Sequence, residues 1–264
     1  MKCLVTVATL ILIYSPFLLS KPTTFTKNKE ISNSAVTPQS AVKKLLLAEF
    51  KKNFKKSGLI KLKKQALNYS GKAIPALIEV MKSEKYPEKN RWIATFLVGQ
   101  IMGKKSSPFL AKFLKHPSWV MRMASLKTLL ALKDKRFASE FALALKDKSF
   151  IVRKQALDNI KKLDIRDKAG NVWAMLYDKR NYYNPKDGQR KRTNLIKEAI
   201  KVVGDLKFEK AKIPLLNMSQ KEKYKDIFSE IDYSLSQITG KKSPKGLKSK
   251  KRFWSKIALV NKTF

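Results

Sequence analysis

Three arginines, Arg91, Arg122 and Arg153, stand 31 residues apart. A guanidinium repeated at a fixed interval is suited to holding carboxylates or phosphates through paired, charge-assisted hydrogen bonds. Six residues before Arg153 lies Asp147, an acid. The same offset from Arg122 lands on His116, and from Arg91 on Lys85. Neither is an acid, so Arg91 and Arg122 are candidates for orienting an anionic ligand, with Glu88 as a competing partner. A second candidate is the stretch from Tyr177 to Arg192, which carries Arg180, Tyr182, Tyr183, Arg190, Lys191 and Arg192. Aromatic faces interleaved with cations suit stacking on bases or sugars beside phosphate contacts; a polar loop whose tyrosines pack back on the protein is the competing reading. The third is the segment Gly240–Phe264, where Lys250, Lys251, Arg252 and Trp254 combine positive charge with an aromatic ring. Such a segment docks on a polyanion or an acidic lipid surface, or it covers the end of the molecule as a short helix.

The residues that most catalytic chemistry needs are scarce. His116 is the only histidine and Cys3 the only cysteine, which excludes a His-based triad, a His-rich metal site and a cysteine pair. No glycine-rich phosphate loop or Gly-x-Ser-x-Gly elbow occurs. Asp164 with Asp167, and Glu230 with Asp232, have no pattern that supports acid–base work. Hence no catalytic, cofactor-binding or metal-ligating residue is assigned. What the chain has in excess is positive charge: 58 Lys and Arg against 20 Asp and Glu, a net +38. A field of that sign and size attracts polyanions.

The elements that must position these groups are helical. Lys2, the apolar run Leu4–Tyr14 and Leu18-Leu19-Ser20 read as a signal peptide over residues 1–20. An uncleaved N-terminal anchor is the alternative. Residues 21–40, rich in Thr, Ser, Asn and Lys, read as a flexible linker, and 41–239 as a continuous helical array. No run of strand-like alternation is present, so an all-α fold is expected. Six helix pairs are read: 42–55 with 58–69, 73–83 with 87–102, 107–115 with 118–131, 135–146 with 149–163, 167–178 with 187–204, and 208–218 with 222–238. In helix 149–163, Val152, Ala156, Ile160 and Leu163 form one apolar stripe with Arg153 outside it, and Ser149 is placed to cap the start, as Ser118 is one unit earlier. Trp92, Trp119 and Trp173 are expected in the core or lining a groove, the core being the preferred reading. From Arg153 to Arg192 is 39 residues, which puts about eight extra residues into the fifth pair. Residues 240–264 read as a basic tail or capping helix.

A period of this length, with a helical hairpin in each copy, is the mark of a solenoid. The residues resemble HEAT repeats of the short bacterial type also seen in phycobilisome-lyase-like proteins. Asp147, Val152, Arg153, Ala156 and Leu157 match that family's second helix, Ile74-Pro75-Ala76-Leu77 its first, and Ile213-Pro214-Leu215-Leu216 resembles the latter. The resemblance implies a right-handed α-solenoid of about six helix pairs, a ladder of turn Asp and helix Arg between units, and no activity, since such arrays are mostly binding scaffolds.

The expected function is therefore a secreted or periplasmic scaffold, without catalysis or cofactor, whose basic surface binds an anionic partner: an acidic protein, an envelope polyanion or a glycan. Peripheral membrane contact is a further expectation. The alternative is a nucleic-acid-binding protein or a DNA glycosylase-like enzyme, whose catalytic residues find no match here.

Overall fold

The computed structural model describes residues 38–183 and 191–260. The signal read over 1–20, and the linker up to residue 37, lie outside the described residues. Those that are described fall in one compact unit, Thr37–Phe264, which is a stack of helical hairpins. Its pairs are α1 (Gln39–Phe50) with α2 (Lys56–Tyr69), α3 (Ile74–Lys82) with α4 (Glu88–Met102), and α5 (Ser107–Lys112) with α6 (Trp119–Ala131). Then follow α7 (Ala138–Ala144) with α8 (Phe150–Lys162), α9 (Ala169–Ala174) with α10 (Asn194–Asp205), and α11 (Lys212–Ser219) with α12 (Phe228–Thr239). A thirteenth helix, α13 (Leu247–Val260), packs on α11. The fold is an all-α solenoid, as the pattern of the sequence requires.

Each unit is punctuated in the same way. At the end of every second helix the backbone swings to positive φ, at Ser70, Gly103, Lys133, Asp164, Lys207 and Gly240 in turn. This reversal ends one hairpin and starts the next. Only two of the six are glycine, so four side chains sit in the left-handed half of backbone space at a cost of about 1–2 kcal/mol each. Their persistence means that packing between units over-determines the turn. The interval from Asp164 to Lys207 is 43 residues, twelve more than the period, so the fifth unit holds twelve extra residues rather than the eight inferred from Arg192. The position equivalent to Arg153 is Ile196, a buried apolar residue, and the arginine column stops at three.

The second helices form the spine. α4, α6, α8, α10 and α12 pack successively on one another, and each also packs on its own first helix or the short turns around it. A helix covered on several sides buries more than one stripe, which is why α8 buries Arg153, Gln155 and Asn159 beside Val152, Ala156 and Ile160. Arg153 therefore lies inside, not outside as the apolar stripe suggests. These buried polar groups carry their own partners. Asn159 donates from Nδ2 to the Leu126 carbonyl at 2.8 Å, and Asn90 donates to the carbonyls of Phe50 and Lys52 at the end of α1, at 2.7 and 2.8 Å. α10 and α12 approach closely, and a Cβ on Gly204 would stand 2.6 Å from the Ser234 Cα. Only a glycine admits the two backbones at that separation.

One departure from all-helical structure was not expected. β1 (Tyr182–Tyr183) and β2 (Lys191–Arg192) pair antiparallel, Tyr182 with Arg192 and Tyr183 with Lys191. This two-residue ribbon closes the insertion at its base, where Thr193 Oγ1 donates to the Asn181 carbonyl at 2.6 Å. The array then resumes at α10, later than the predicted start at residue 187.

Candidate anion-binding surface

The three arginines are fully engaged with the turns. Arg122 donates from Nε and Nη2 to the two carboxylate oxygens of Asp147 at 2.6 and 2.8 Å, and from Nη1 to the carbonyls of His116 and Pro117 at 2.7 Å each. Arg153 repeats the arrangement one unit on. Its Nη1 donates to the carbonyls of Asp147 and Lys148 at 2.8 and 3.1 Å, its Nε to Asn181 Oδ1 at 2.7 Å and its Nη2 to the Arg180 carbonyl at 3.0 Å. An arginine in the first turn of a helix points back towards the N-terminus, so one arm reaches its own turn while the other crosses to the next unit. The Asp147 carboxylate thus pairs with Arg122 of the preceding unit, whereas Arg153 touches only its backbone carbonyl.

Arg91 and Arg122 consequently cannot serve as ligand-holding residues. Both are 4% exposed, and Arg91 is spent on the Met81 carbonyl, at 3.3 and 3.4 Å, and on His116 Nε2 at 3.2 Å. Glu88, the partner considered for Arg91, instead accepts from Ser118 Oγ at 2.8 Å. Arg180 is one of three Asp-x-Arg clamps, with Asp134/Arg136 and Asp164/Arg166, in which an aspartate holds the guanidinium two residues later. Its Nη2 also donates to the Lys146 carbonyl at 3.1 Å. Hydrogen bonds from Arg180 keep the Asp178 carboxyl below the usual carboxylate range against the opposing effect of burial. Tyr182 is half-buried and donates from its hydroxyl to the Leu176 carbonyl. Tyr183, Lys191 and Arg192 are placed only by the ribbon's backbone, and Arg190 lies outside the described residues.

The C-terminal candidates also turn inward. Trp254 is wholly buried and donates from Nε1 to Asp232 Oδ1 at 2.7 Å, while Lys250 holds Asp232 Oδ2 at 2.5 Å and Lys251 holds Glu222 at 3.1 Å. Burial alone would raise the Asp232 carboxyl, but hydrogen bonds from Lys250, Ser243 and Trp254 outweigh it and hold the group below its ordinary value. Of the four residues only Arg252 remains exposed. α13 is the capping helix, and Trp254 is its anchor rather than a membrane contact.

His116 occupies the place that Asp147 and Asp178 hold in the following units, and the substitution leaves a mismatch. Its Nδ1 faces the Ser118 N–H at 3.0 Å, and its Nε2 faces Arg91 Nη2 at 3.2 Å. A neutral imidazole has one acceptor nitrogen, so it cannot satisfy two donors. Burial, and then the Arg91 charge, push its pKa below the ordinary histidine value; Glu84 opposes this, and the ring stacks on Phe113. A depressed histidine pKa contributes stability above the unfolded value of about 6.5 that is lost as pH falls through the folded value. Because His116 is the only histidine, the urea midpoint is expected to fall between pH 7.5 and pH 5.5. A His116→Asp variant offers two acceptors and a charge to Arg91; it should be more stable than wild type by about 1–2 kcal/mol at pH 7 and lose the pH dependence. An unchanged midpoint across that range would rule out the mismatch.

What remains accessible is lysine. Lys104, Lys135 and Arg166 recur at the 31-residue period on the turns between units, and Lys115 and Lys146, then Lys148 and Lys179, on the turns within them. All are exposed. Ser118 caps α6 through Val120, as expected, but the N–H of Ser149 is instead taken by Asp147 Oδ1 at 2.7 Å. Trp92 and Trp173 are partly buried as expected, whereas Trp119 is exposed, as is Phe150 one period later. That shared period, three residues before Arg122 and Arg153, is a signal present in the sequence. Among the described residues no group of His, Cys, Asp and Glu could hold a metal ion.

Comparison with known proteins gives two findings. Residues 73–161 match the family model of HEAT repeats. Among solved structures, the complex of CpcE and CpcF of phycocyanin lyase from Nostoc sp. PCC7120 is similar at a TM-score of 0.41 and 13% identity, covering 89% of this chain and all of that one. No curated protein sequence matches.

Proposed function

Since residues 73–161 match the family model of HEAT repeats, we propose that the chain is a non-catalytic scaffold that binds an anionic macromolecule through its lysine-covered surface. The observation that carries this reading is the fate of the acids. Most carboxylates among the described residues are already held by a neighbouring cation, as Glu79 is by Lys43, Asp147 by Arg122 and Asp205 by Lys161. The sequence carries a net +38, and among the described residues many exposed lysines meet no carboxylate and are spaced by the repeat, which suits a multivalent, sequence-independent attraction. The composition of residues 1–20 supports export to the periplasm or the medium, with an envelope component or acidic protein as the partner. Binding of the chain to heparin or polyphosphate is expected to weaken at least about 100-fold between 50 and 300 mM salt, as counterion release requires. Affinity that does not change over that range would sink the reading.

A further inference from the structure

The turns within units three to five form a row, because the buried arginines tie each one to the next. Arg122 joins the 116–118 turn to Asp147, and Arg153 and Arg180 join the 146–148 turn to residues 180 and 181. On this row stand Trp119, Phe150, Ile151 and Tyr177, which are 45%, 40%, 45% and 72% exposed. Trp119 and Phe150 hold equivalent positions, so they project in the same direction from helices that pack on one another, about 10 Å apart. Lys115, Lys146, Lys148 and Lys179 flank them, and the acids of the row, Asp147 and Asp178, are consumed by Arg122 and Arg180.

We propose that this turn row is a peripheral docking surface for an anionic lipid bilayer. The inference rests on the polyanion-binding reading and narrows it to one partner and one edge. Aromatic and aliphatic side chains project here from separate, rigid turns, with lysines between them. A flat interface accepts that arrangement, since Trp and Tyr settle at headgroup depth, Phe and Ile reach the acyl boundary, and lysines meet anionic headgroups. A nucleic acid gains nothing from Ile151, and the uncompensated positive charge around these side chains matches an acidic surface. Among the described residues no helix is long and apolar enough to cross a membrane.

The test uses the full chain and co-sedimentation with vesicles of neutral phosphatidylcholine, with or without 30 mol% anionic phospholipid. A Trp119→Ser/Phe150→Ser/Ile151→Ser variant leaves the charge unchanged, and Ile60→Ser/Ile213→Ser alters exposed apolar residues elsewhere. Expected are at least tenfold preference for anionic vesicles, at least tenfold loss of binding in the triple variant with heparin affinity retained, and wild-type behaviour in the control. Wild-type binding by the triple variant overturns the proposal, because the apolar run Leu4–Tyr14 or lysines alone would then suffice. Heparin binding without vesicle binding overturns it while leaving the polyanion reading standing. Loss of acidic-protein capture rather than vesicle binding in the triple variant overturns it in favour of a protein partner, and binding to neither polyanion nor vesicle removes both readings.

Discussion

Replacing Arg122 with leucine should cost about 3–5 kcal/mol of stability, the range for breaking a buried ion pair from one side. The guanidinium is 4% exposed and makes four hydrogen bonds, two to Asp147 and one each to the carbonyls of His116 and Pro117. Leucine fills much of the volume but leaves the half-enclosed carboxylate facing apolar atoms and two turn carbonyls without a donor. Asp147 would keep only its bond from the Ser149 N–H. Lysine should recover part of the loss, since it retains the charge but not the fork that meets both oxygens at once. The decisive comparison is Arg122→Leu with Arg122→Leu/Asp147→Leu in urea unfolding, followed by two probes to establish that the transition remains cooperative. The double variant should be the more stable of the two, because the orphaned carboxylate is the larger part of the cost. A loss below 1 kcal/mol for Arg122→Leu would show that the ladder does not hold adjacent units together.

Trp254→Ala is expected to release α13 from the array. Truncating a wholly buried tryptophan costs about 3–5 kcal/mol, and this one also removes the indole donor from Asp232 Oδ1, although Lys250 still holds Oδ2. Trp254 is the deepest-buried side chain of α13 among the described residues, and its loss should undock the helix and uncover the apolar end that a solenoid must cap. Amide hydrogen exchange across residues 247–260 should rise to the rate of unstructured chain while α4, α6 and α8 keep their protection. Trp254→Phe keeps most of the packing and loses the hydrogen bond, so it should retain the helix with a deficit of about 1–2 kcal/mol. Intact protection of α13 in the alanine variant would mean that Lys250 and Lys251, through Asp232 and Glu222, suffice to hold it.

Taken together, the ladder and the cap explain how a chain with so large an excess of one charge remains folded. The cations that are buried, Arg91, Arg122 and Arg153, are met by carbonyls or by Asp147 and Asn181 in the turns of adjacent units. The remaining lysines repel one another only through water, where the cost is small and screened by salt. The least well met is Arg91, since among the described residues no carboxylate pairs with it and His116 supplies a single ring nitrogen.

The sequence by itself determined what depends on periodicity: helices, a 31-residue unit, six hairpins and an apolar stripe on each second helix. These are legible because a helix reports its buried face at fixed local spacing, and a stacked array repeats that report from unit to unit. Only the tertiary structure decided the partners. Asp147 lies six residues from Arg153 in the chain yet pairs with Arg122, since a side chain directed across to the next unit obeys packing rather than offset. Trp254 follows a run of lysines and fits either a surface contact or a capping helix; the exposed end of the array decides for the cap by taking the ring inside. Arg180 and Tyr182 fit either a binding loop or one packed back on the array; the structure clamps Arg180 on Asp178 and turns the Tyr182 hydroxyl to the Leu176 carbonyl, and the insertion is twelve residues because the turn at Lys207, not an arginine, marks the unit. Burial is a property of what lies opposite, and one strand of sequence does not carry its neighbour's surface.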